Sequence, residues 1–297
     1  MLNLPNLTEP NAIPGLSAIA GKYKALLCDI WGVIHNGREH FPAAVQALLA
    51  FKAQGGKITL ITNAPRPFGA IEEQLRGLAV PREAYDHLVT SGDVTLALML
   101  ERADAPIHHI GPERDLALYS TAESITGKAP RLVPLEEATY VICTGLFDDT
   151  VERPEDYADD LAFMLKRNLP MICANPDIIV HRGDEEVFCA GALAAVYETM
   201  GGTVIQAGKP FPPIYDMALK TLGKDIDPKQ VLAVGDAFHT DMAGARGRGL
   251  DSLFITGGIH RSAIHPKGVG HVDSEGLMQL LSNEGFSPRY MAPTLIW

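Results

Sequence analysis

The sequence predicts an α/β fold with a doubly wound parallel sheet and a second α/β domain inserted into it. The first observation is a series of short apolar runs that end in Gly, Asn, Asp or Thr, as buried parallel strands do when they lead into functional loops. The second is that helical patterns separate the runs, an alternation typical of doubly wound sheets. The runs are ALLCD, KITLITN, YVICTG, PMICANPD, TVIQAGKP, VLAVGD and SLFITGG.

The helical patterns between these runs have recognisable ends. The segment PAAVQALLAFKAQG begins with a proline, carries apolar residues at helical spacing and stops at Gly55. The segments SGDVTLALMLERA and PFPPIYDMALKTLG follow the same rule. We therefore expect helices that cover the strands along the chain.

Residues 106–203 carry strand and helix signals of their own, in PIHHIG, ERDLALYSTA and DYADDLAFMLKRN. A segment with its own alternation of strands and helices can form a separate compact unit. We predict an inserted α/β domain over residues 106–203, and a catalytic core formed by residues 1–105 and 204–297.

Composition excludes several classes of partner. The chain has 297 residues and a formal net charge of -11, which argues against a nucleic-acid partner because phosphates need a basic surface. No apolar run is long enough to cross a bilayer, and the N-terminus lacks a secretory pattern, so no membrane partner is expected. The four cysteines form no CxxC pair, which favours buried thiols in the cytoplasm. The apolar tail 285–297 is expected to pack on its own core or on a second copy in a homodimer.

Polar side chains follow several of the predicted strands. The carboxyl ends of parallel strands meet at one edge of a sheet, and ligands bind there in doubly wound folds. Three carboxylates, a lysine, a hydroxyl and turn amides suit a Mg²⁺ ion together with a phosphate, and a carboxylate in line with phosphorus can act as a nucleophile. The side chains are Asp29 in CDIWGV, Thr62 and Asn63 in LITNAP, Lys209 in AGKP, and Asp236 and Asp241 in VGDAFHTD.

The order of these four motifs resembles that of the haloacid dehalogenase superfamily. The inserted domain resembles the α/β cap of its class IIA, NagD-like branch, and TSGDVTLAL, ANPDIIV and CAGALAAVYE look like further landmarks of that branch. The resemblance runs from Lys24 to about Gly258. It implies a Rossmann-like core and phosphatase activity on a small phosphorylated metabolite, such as a sugar phosphate, a nucleotide, pyridoxal phosphate or phosphoglycolate.

The resemblance also implies roles for individual residues. Asp29 matches the family's nucleophile. Lys209 matches the lysine that neutralises the nucleophile and the phosphoryl group, and Asp241 matches the second acid, which acts through water or holds that lysine. Thr62 matches the phosphate-binding hydroxyl, and we expect Asn63 beside it to bind the phosphate as well.

Magnesium is the cofactor that the resemblance implies. Asp29 and Asp236 match its direct carboxylate ligands, and the remaining protein ligand is the backbone carbonyl two residues after the nucleophile, which here belongs to Trp31. Asn175 and Asp177 lie where the family's cap faces the substrate, so we expect them to bind it.

Trp31 departs from the pattern of the family's phosphatases, which carry a second Asp at this position. That Asp protonates the leaving group and then activates water, and an indole can do neither. The loss of such acid/base catalysis predicts a slow enzyme, a preference for good leaving groups, or another proton donor. His35, four residues further on, is the candidate donor.

Two other functions stay open at this point. Trp31 also fits a regulatory protein that binds a phosphate ligand with weak or no turnover. The superfamily's dehalogenases carry an aromatic residue there and use no metal, so a metal-free dehalogenase-type hydrolase is the third reading. The acids of GDAFHTD favour the phosphatase, because they serve magnesium and phosphate.

Overall fold

The computed structural model of the protein describes residues 7–102, 104–182, 185–268 and 271–297. The strands are β1 (Asn11–Ala12), β2 (Ala25–Asp29), β3 (Lys57–Thr62), β4 (His87–Thr90), β5 (Ile107–Ile110), β6 (Tyr140–Cys143), β7 (Met171–Cys173), β8 (Ile179–Arg182), β9 (Glu185–Phe188), β10 (Val204–Gln206), β11 (Val231–Gly235), β12 (Asp251–Ile255) and β13 (Tyr290–Ala292). The α-helices are α1 (Pro42–Ala53), α2 (Phe68–Gly77), α3 (Ser91–Leu100), α4 (Ala117–Thr126), α5 (Ala158–Lys166), α6 (Ala190–Thr199), α7 (Pro212–Leu222), α8 (Ala243–Gly247), α9 (Arg261–Ile264) and α10 (Ser274–Glu284).

A seven-stranded sheet has the order β1-β13-β12-β11-β2-β3-β4. Strand β2 pairs in parallel with β3 on one side and with β11 on the other. From β2 the chain winds outward through β3 and β4, and from β11 it winds outward in the opposite direction through β12 and β13. The strand order therefore reverses between β2 and β11, which is where doubly wound sheets bind their ligands. The predicted fold class is confirmed.

A second sheet has four strands in the order β10-β7-β6-β5, all paired in parallel. Successive residues of a strand face opposite sides, so each face has its own apolar cluster. Val141 and Cys143 pack with α5 and α6 on one face, whereas Tyr140 and Ile142 pack with α3 and α4 on the other. Strands β8 and β9 form a separate antiparallel hairpin.

The chain divides into two compact units. The first comprises Met1–Ile61, Leu75–Leu88 and Tyr215–Trp297, and the second comprises Thr62–Gln74 and Val89–Ile214. The predicted insertion, 106–203, lies within the span of the second unit, which also includes the segment after β3 and the segment after β10. The boundaries predicted from sequence stay a prediction.

The apolar C-terminal segment packs on its own unit. Strand β13 lies between β12 and β1, and Leu295 is buried. The four cysteines, Cys28, Cys143, Cys173 and Cys189, are buried as predicted and form no disulfide within the part of the chain that the structure describes. None of the helices in the described ranges has the length and apolarity that crossing a bilayer requires.

Candidate active site

Asp29 and Asp236 lie at the carboxyl ends of two neighbouring strands. Asp29 is the last residue of β2, and Asp236 directly follows β11. The parallel register sets Cys28 opposite Val234, so both strands finish at the same edge of the sheet. Both carboxylates are buried there. The pairing of the two central strands therefore brings these acids together.

Asp241 reaches the same place through a π-helical turn, Phe238–Met242. The N–H of Met242 donates to the carbonyl of Ala237 at 3.1 Å, which closes the wide turn. The Oδ2 atom of Asp241 accepts the N–H of Ala237 at 3.2 Å and ties the side chain back toward β11. Such turns are frequent at functional sites.

The carboxylates of Asp29, Asp236 and Asp241 offer oxygen atoms that lie within 4.8 Å of one another, and all three are buried. Carboxylates this close in a buried place repel one another when they are ionised, so a cation between them would stabilise the cluster. Carboxylate oxygens are hard ligands of the kind that Mg²⁺ prefers. The three side chains therefore fit a small divalent cation that they would hold together. The Trp31 carbonyl stays a predicted ligand.

Two glycines leave space for the Asp236 side chain, and the sequence reasoning missed them as site residues. A Cβ atom on Gly32 or on Gly258 would overlap the Oδ2 atom of Asp236. That oxygen also accepts the N–H of Ile259 at 2.8 Å, so the loop after β12 helps to fix the carboxylate. The signal in the sequence was the GG that ends SLFITGG.

We expect Gly32→Ala to remove the rise in melting temperature that Mg²⁺ gives the parent protein, because the added Cβ displaces Asp236. Gly32 also has φ +80°, so the variant loses about 1–2 kcal/mol of stability to backbone strain. Gly55→Ala is the matched control, since Gly55 has φ +85° but open space around its Cβ position. Thermal denaturation with and without Mg²⁺ checks this. Equal Mg²⁺ responses in the two variants would contradict it.

The Trp31 side chain is half-buried and packs on its own loop. Its ring meets the His35 ring edge-on, with centroids 5.1 Å apart. A Cβ on Gly37 would lie 2.5 Å from Trp31 Cη2, so the loop approaches the indole closely where Gly37 has φ +85°. The indole thus acts as a packing element of the loop after β2.

His35 is poorly suited to replace the missing acid. It is buried, and its Nδ1 atom accepts the N–H of Gly37 at 3.0 Å. Burial lowers the pKa of His35 to about 4, so the imidazole is neutral near pH 7 and carries no extra proton to give. The sequence hypothesis of His35 as the proton donor loses support.

Thr62, Asn63 and Lys209 are buried in the second unit. The Oγ1 atom of Thr62 accepts the N–H of Ala64 at 3.2 Å. The Asn63 side chain holds the backbone of Lys209, since its Oδ1 accepts the Lys209 N–H at 2.6 Å and its Nδ2 donates to the Lys209 carbonyl at 3.2 Å. Asn63 and Lys209 are therefore brought into direct contact, as neighbouring motifs of one site would be.

The expectation that all these strand ends belong to one sheet is wrong for Lys209. Lys209 follows β10, and β10 pairs with β7 in the four-stranded sheet. The β8-β9 hairpin and helix α6 connect β7 to β10, and the short segment after α6 returns the chain beside β7, in the second sheet.

Asn175 and Asp177 lie in the loop after β7. The Oδ1 atom of Asn175 accepts the N–H of Asp177 at 3.1 Å, which is the turn chemistry that an Asn-Pro-Asp sequence favours. Asp177 Oδ1 in turn accepts Nδ2 of Asn63 at 2.9 Å. The predicted site residues therefore fall into two groups. The first unit holds Asp29, Trp31, Asp236 and Asp241, and the second holds Thr62, Asn63, Asn175, Asp177 and Lys209.

Comparisons with known proteins point to a family of hydrolases. A family described as haloacid dehalogenase-like hydrolase matches residues 26–123, and one described as HAD-hydrolase-like matches residues 206–274. The 5'-nucleotidase YutF of Bacillus subtilis (strain 168) is 24% identical over 240 residues, which cover 80% of this chain and 88% of that protein.

Two solved structures share the fold. NagD from E. coli K-12 is 21% identical with a TM-score of 0.64, and the match covers 92% of this chain and 96% of that one. A haloacid dehalogenase-like family hydrolase from Brucella suis 1330 is 42% identical with a TM-score of 0.82, and the match covers 98% of this chain and 100% of that one. The chain therefore belongs to the haloacid dehalogenase-like hydrolase family, with a NagD-like fold.

Proposed function

We propose that the protein is a Mg²⁺-dependent phosphatase of small phosphate monoesters, in the class of sugar phosphates, nucleotides, pyridoxal phosphate or phosphoglycolate. The observation that carries the proposal is the set of three buried carboxylates, Asp29, Asp236 and Asp241, whose oxygens lie within 4.8 Å of one another. Such a set suits a divalent cation, because carboxylate oxygens are the ligands that Mg²⁺ prefers. The similarity to a 5'-nucleotidase adds support for a phosphate ester as substrate.

In this proposal Asp29 attacks the phosphorus atom. One carboxylate oxygen forms a bond to phosphorus, the bond from phosphorus to the leaving oxygen breaks, and an aspartyl-phosphate results. Water then attacks that phosphorus, which releases inorganic phosphate and regenerates Asp29. The Lys209 ammonium and the Thr62 hydroxyl would hold the phosphoryl oxygens. A bound Mg²⁺ would supply positive charge to the phosphoryl group.

The leaving oxygen needs a proton, and Trp31 cannot give one. In this proposal the enzyme is slow on alkyl phosphates, whose leaving alkoxides are strongly basic, and faster on aryl phosphates. The same observation favours a second candidate function, a protein that binds a phosphorylated ligand with weak turnover. A metal-free dehalogenase has less support, because the three carboxylates would then lie together without a cation.

A screen of phosphate release separates these functions. The purified protein is incubated with sugar phosphates, mononucleotides, pyridoxal phosphate, phosphoglycolate and p-nitrophenyl phosphate, with Mg²⁺ or with a chelator. We expect phosphate release that the chelator stops. Binding of beryllium fluoride without release from any substrate would favour the binding protein. Halide release from haloacids in the presence of chelator would favour the dehalogenase and overturn the proposal.

A further inference from the structure

The side chain of Asn63 uses all of its hydrogen-bonding hydrogens on protein groups. A primary amide has two N–H hydrogens and one carbonyl oxygen. In Asn63, Nδ2 donates to the Lys209 carbonyl at 3.2 Å and to Asp177 Oδ1 at 2.9 Å, and Oδ1 accepts the Lys209 N–H at 2.6 Å. No N–H of the amide is left to bind a phosphate oxygen.

Three partners also fix which way the amide points. The Lys209 N–H can only donate, so it selects Oδ1 of Asn63. The carboxylate of Asp177 can only accept when it is ionised, so it selects Nδ2. Reversing the amide would set its NH₂ group against the Lys209 N–H and its oxygen against the Asp177 carboxylate. Asp177 therefore orients the group that holds both backbone polar atoms of Lys209.

Packing leaves this arrangement little freedom. Asn63 and Lys209 are each 3% exposed. The amide lies directly on Gly208, where a Cβ atom would overlap Asn63 Oδ1 and lie 2.6 Å from Pro176 Cδ. Hydrogen bonds shielded from water in this way are stronger than exposed ones, and leaving one partner without its bond is costly.

We infer that Asn63 is a positioning residue for Lys209 and not a phosphate ligand, and that Asp177 orients the Asn63 amide. The inference rests on the proposed function where it concerns turnover, since it assigns the Lys209 ammonium to the phosphoryl group. The geometric part does not depend on the reaction: Asn63 holds the Lys209 backbone, and Asp177 orients Asn63.

Exchanging the two side chains tests this sharply. Asn63→Asp keeps the acceptor for the Lys209 N–H but sets a carboxylate against Asp177 and against the Lys209 carbonyl. Adding Asp177→Asn restores a donor-acceptor pair at that contact and keeps the net charge of the parent. The exchange still lacks the bond to the Lys209 carbonyl and leaves a carboxylate oxygen facing that carbonyl, so we expect recovery to be incomplete. A phosphate-binding amide would gain nothing from the second substitution, because the carboxylate at position 63 would still repel phosphate.

Ser91→Ala is the matched control. Ser91 is fully buried beside the same glycine, since its Oγ lies 2.9 Å from the Cβ position of Gly208. Among the described residues its Oγ has no hydrogen-bond partner. Removing the Ser91 hydroxyl changes the packing beside Gly208 but leaves the three hydrogen bonds of Asn63 intact. We therefore expect the Lys209 acetylation ratio and kcat/KM to equal those of the parent.

The first measurement does not depend on turnover. Amine-specific acetylation, resolved by mass spectrometry, gives the rate at which Lys209 reacts relative to the exposed Lys128. We expect Asn63→Asp to raise that ratio roughly 10-fold or more, Asp177→Asn to raise it less, and the exchange to return it toward the parent value. An unchanged ratio in both single variants would overturn the inference. If Asn63→Asp fails to fold, the acetylation ratios of Asp177→Asn and of the exchange variant still test the inference.

The second measurement is kcat/KM for the best substrate of the parent. We expect Asn63→Asp to lower it on the order of 100-fold and the exchange to recover it to within about 10-fold. An exchange no better than Asn63→Asp alone would overturn the inference. A parent with no chelator-sensitive turnover would instead overturn the proposed function, and the acetylation of Lys209 would then decide the inference alone.

Discussion

Asn in place of Asp29 is expected to abolish turnover and to leave the fold intact. The amide has nearly the shape of the carboxylate, but its oxygen cannot form an acyl phosphate. Loss of a nucleophile that acts within a catalytic unit lowers kcat by roughly 10⁴-fold or more. The variant also removes one of three charges that lie within 4.8 Å of one another. Without Mg²⁺ its melting temperature should therefore equal or exceed that of the parent.

Two measurements check this expectation together. Phosphate release gives the loss of turnover, and thermal denaturation in chelator and in Mg²⁺ gives the charge effect. Asp225→Asn serves as the control, because Asp225 is an exposed carboxylate whose loss should change neither measurement. A folded Asp29→Asn protein that still releases phosphate would remove Asp29 as the nucleophile.

Asp in place of Trp31 is expected to raise turnover on alkyl phosphates. A carboxyl group there can protonate the leaving oxygen, and positioned acid catalysis contributes on the order of 10²–10⁴-fold. Aryl phosphates should gain much less, because an aryl oxide leaves without a proton. The ratio of kcat/KM for an alkyl and an aryl phosphate is the quantity to measure.

The substitution also lowers stability, because it removes the packing of the indole. Truncation of a fully buried Trp costs about 3–5 kcal/mol, and Trp31 is only half-buried, so the loss should be smaller. Trp31→Asn is the matched control, since it removes the same indole without adding an acid. If both variants show the same alkyl-to-aryl ratio, an acid at this position does not protonate the leaving group. Another residue then supplies the proton, or the pocket serves other chemistry.

Much of the fold could be predicted because its signals are local. Apolar runs that end in polar turns gave the central strands, and the proline of PAAVQALLAFKAQG marked the start of α1 at Pro42. The π-helical turn that carries Asp241 gave no such signal, because GDAFHTD is compatible with an ordinary helix start. The sequence also did not predict that β10 belongs to the second sheet, because an apolar run does not indicate which strand it pairs with.

The acids of the site could be predicted from the sequence, whereas the contacts that position the neighbouring residues could not. Asp29, Asp236 and Asp241 follow from motif order, and the structure brings them together. The bond between Asn63 and Lys209 joins residues 146 positions apart, so no local spacing indicates it. For the same reason the sequence could not show that the Asn63 amide holds the Lys209 backbone. The burial of His35 was likewise invisible, because it depends on the loop that folds over it.

The four buried cysteines give each unit an internal reporter of its opening rate. Cys28 lies in the first unit, whereas Cys143, Cys173 and Cys189 lie in the second. Burial raises the pKa of the Cys143 thiol to about 12, and alkylating reagents attack the thiolate, so the native thiol is inert. Each thiol becomes reactive only when the structure around it opens. Alkylation of the unmodified protein can therefore time the opening of each unit separately.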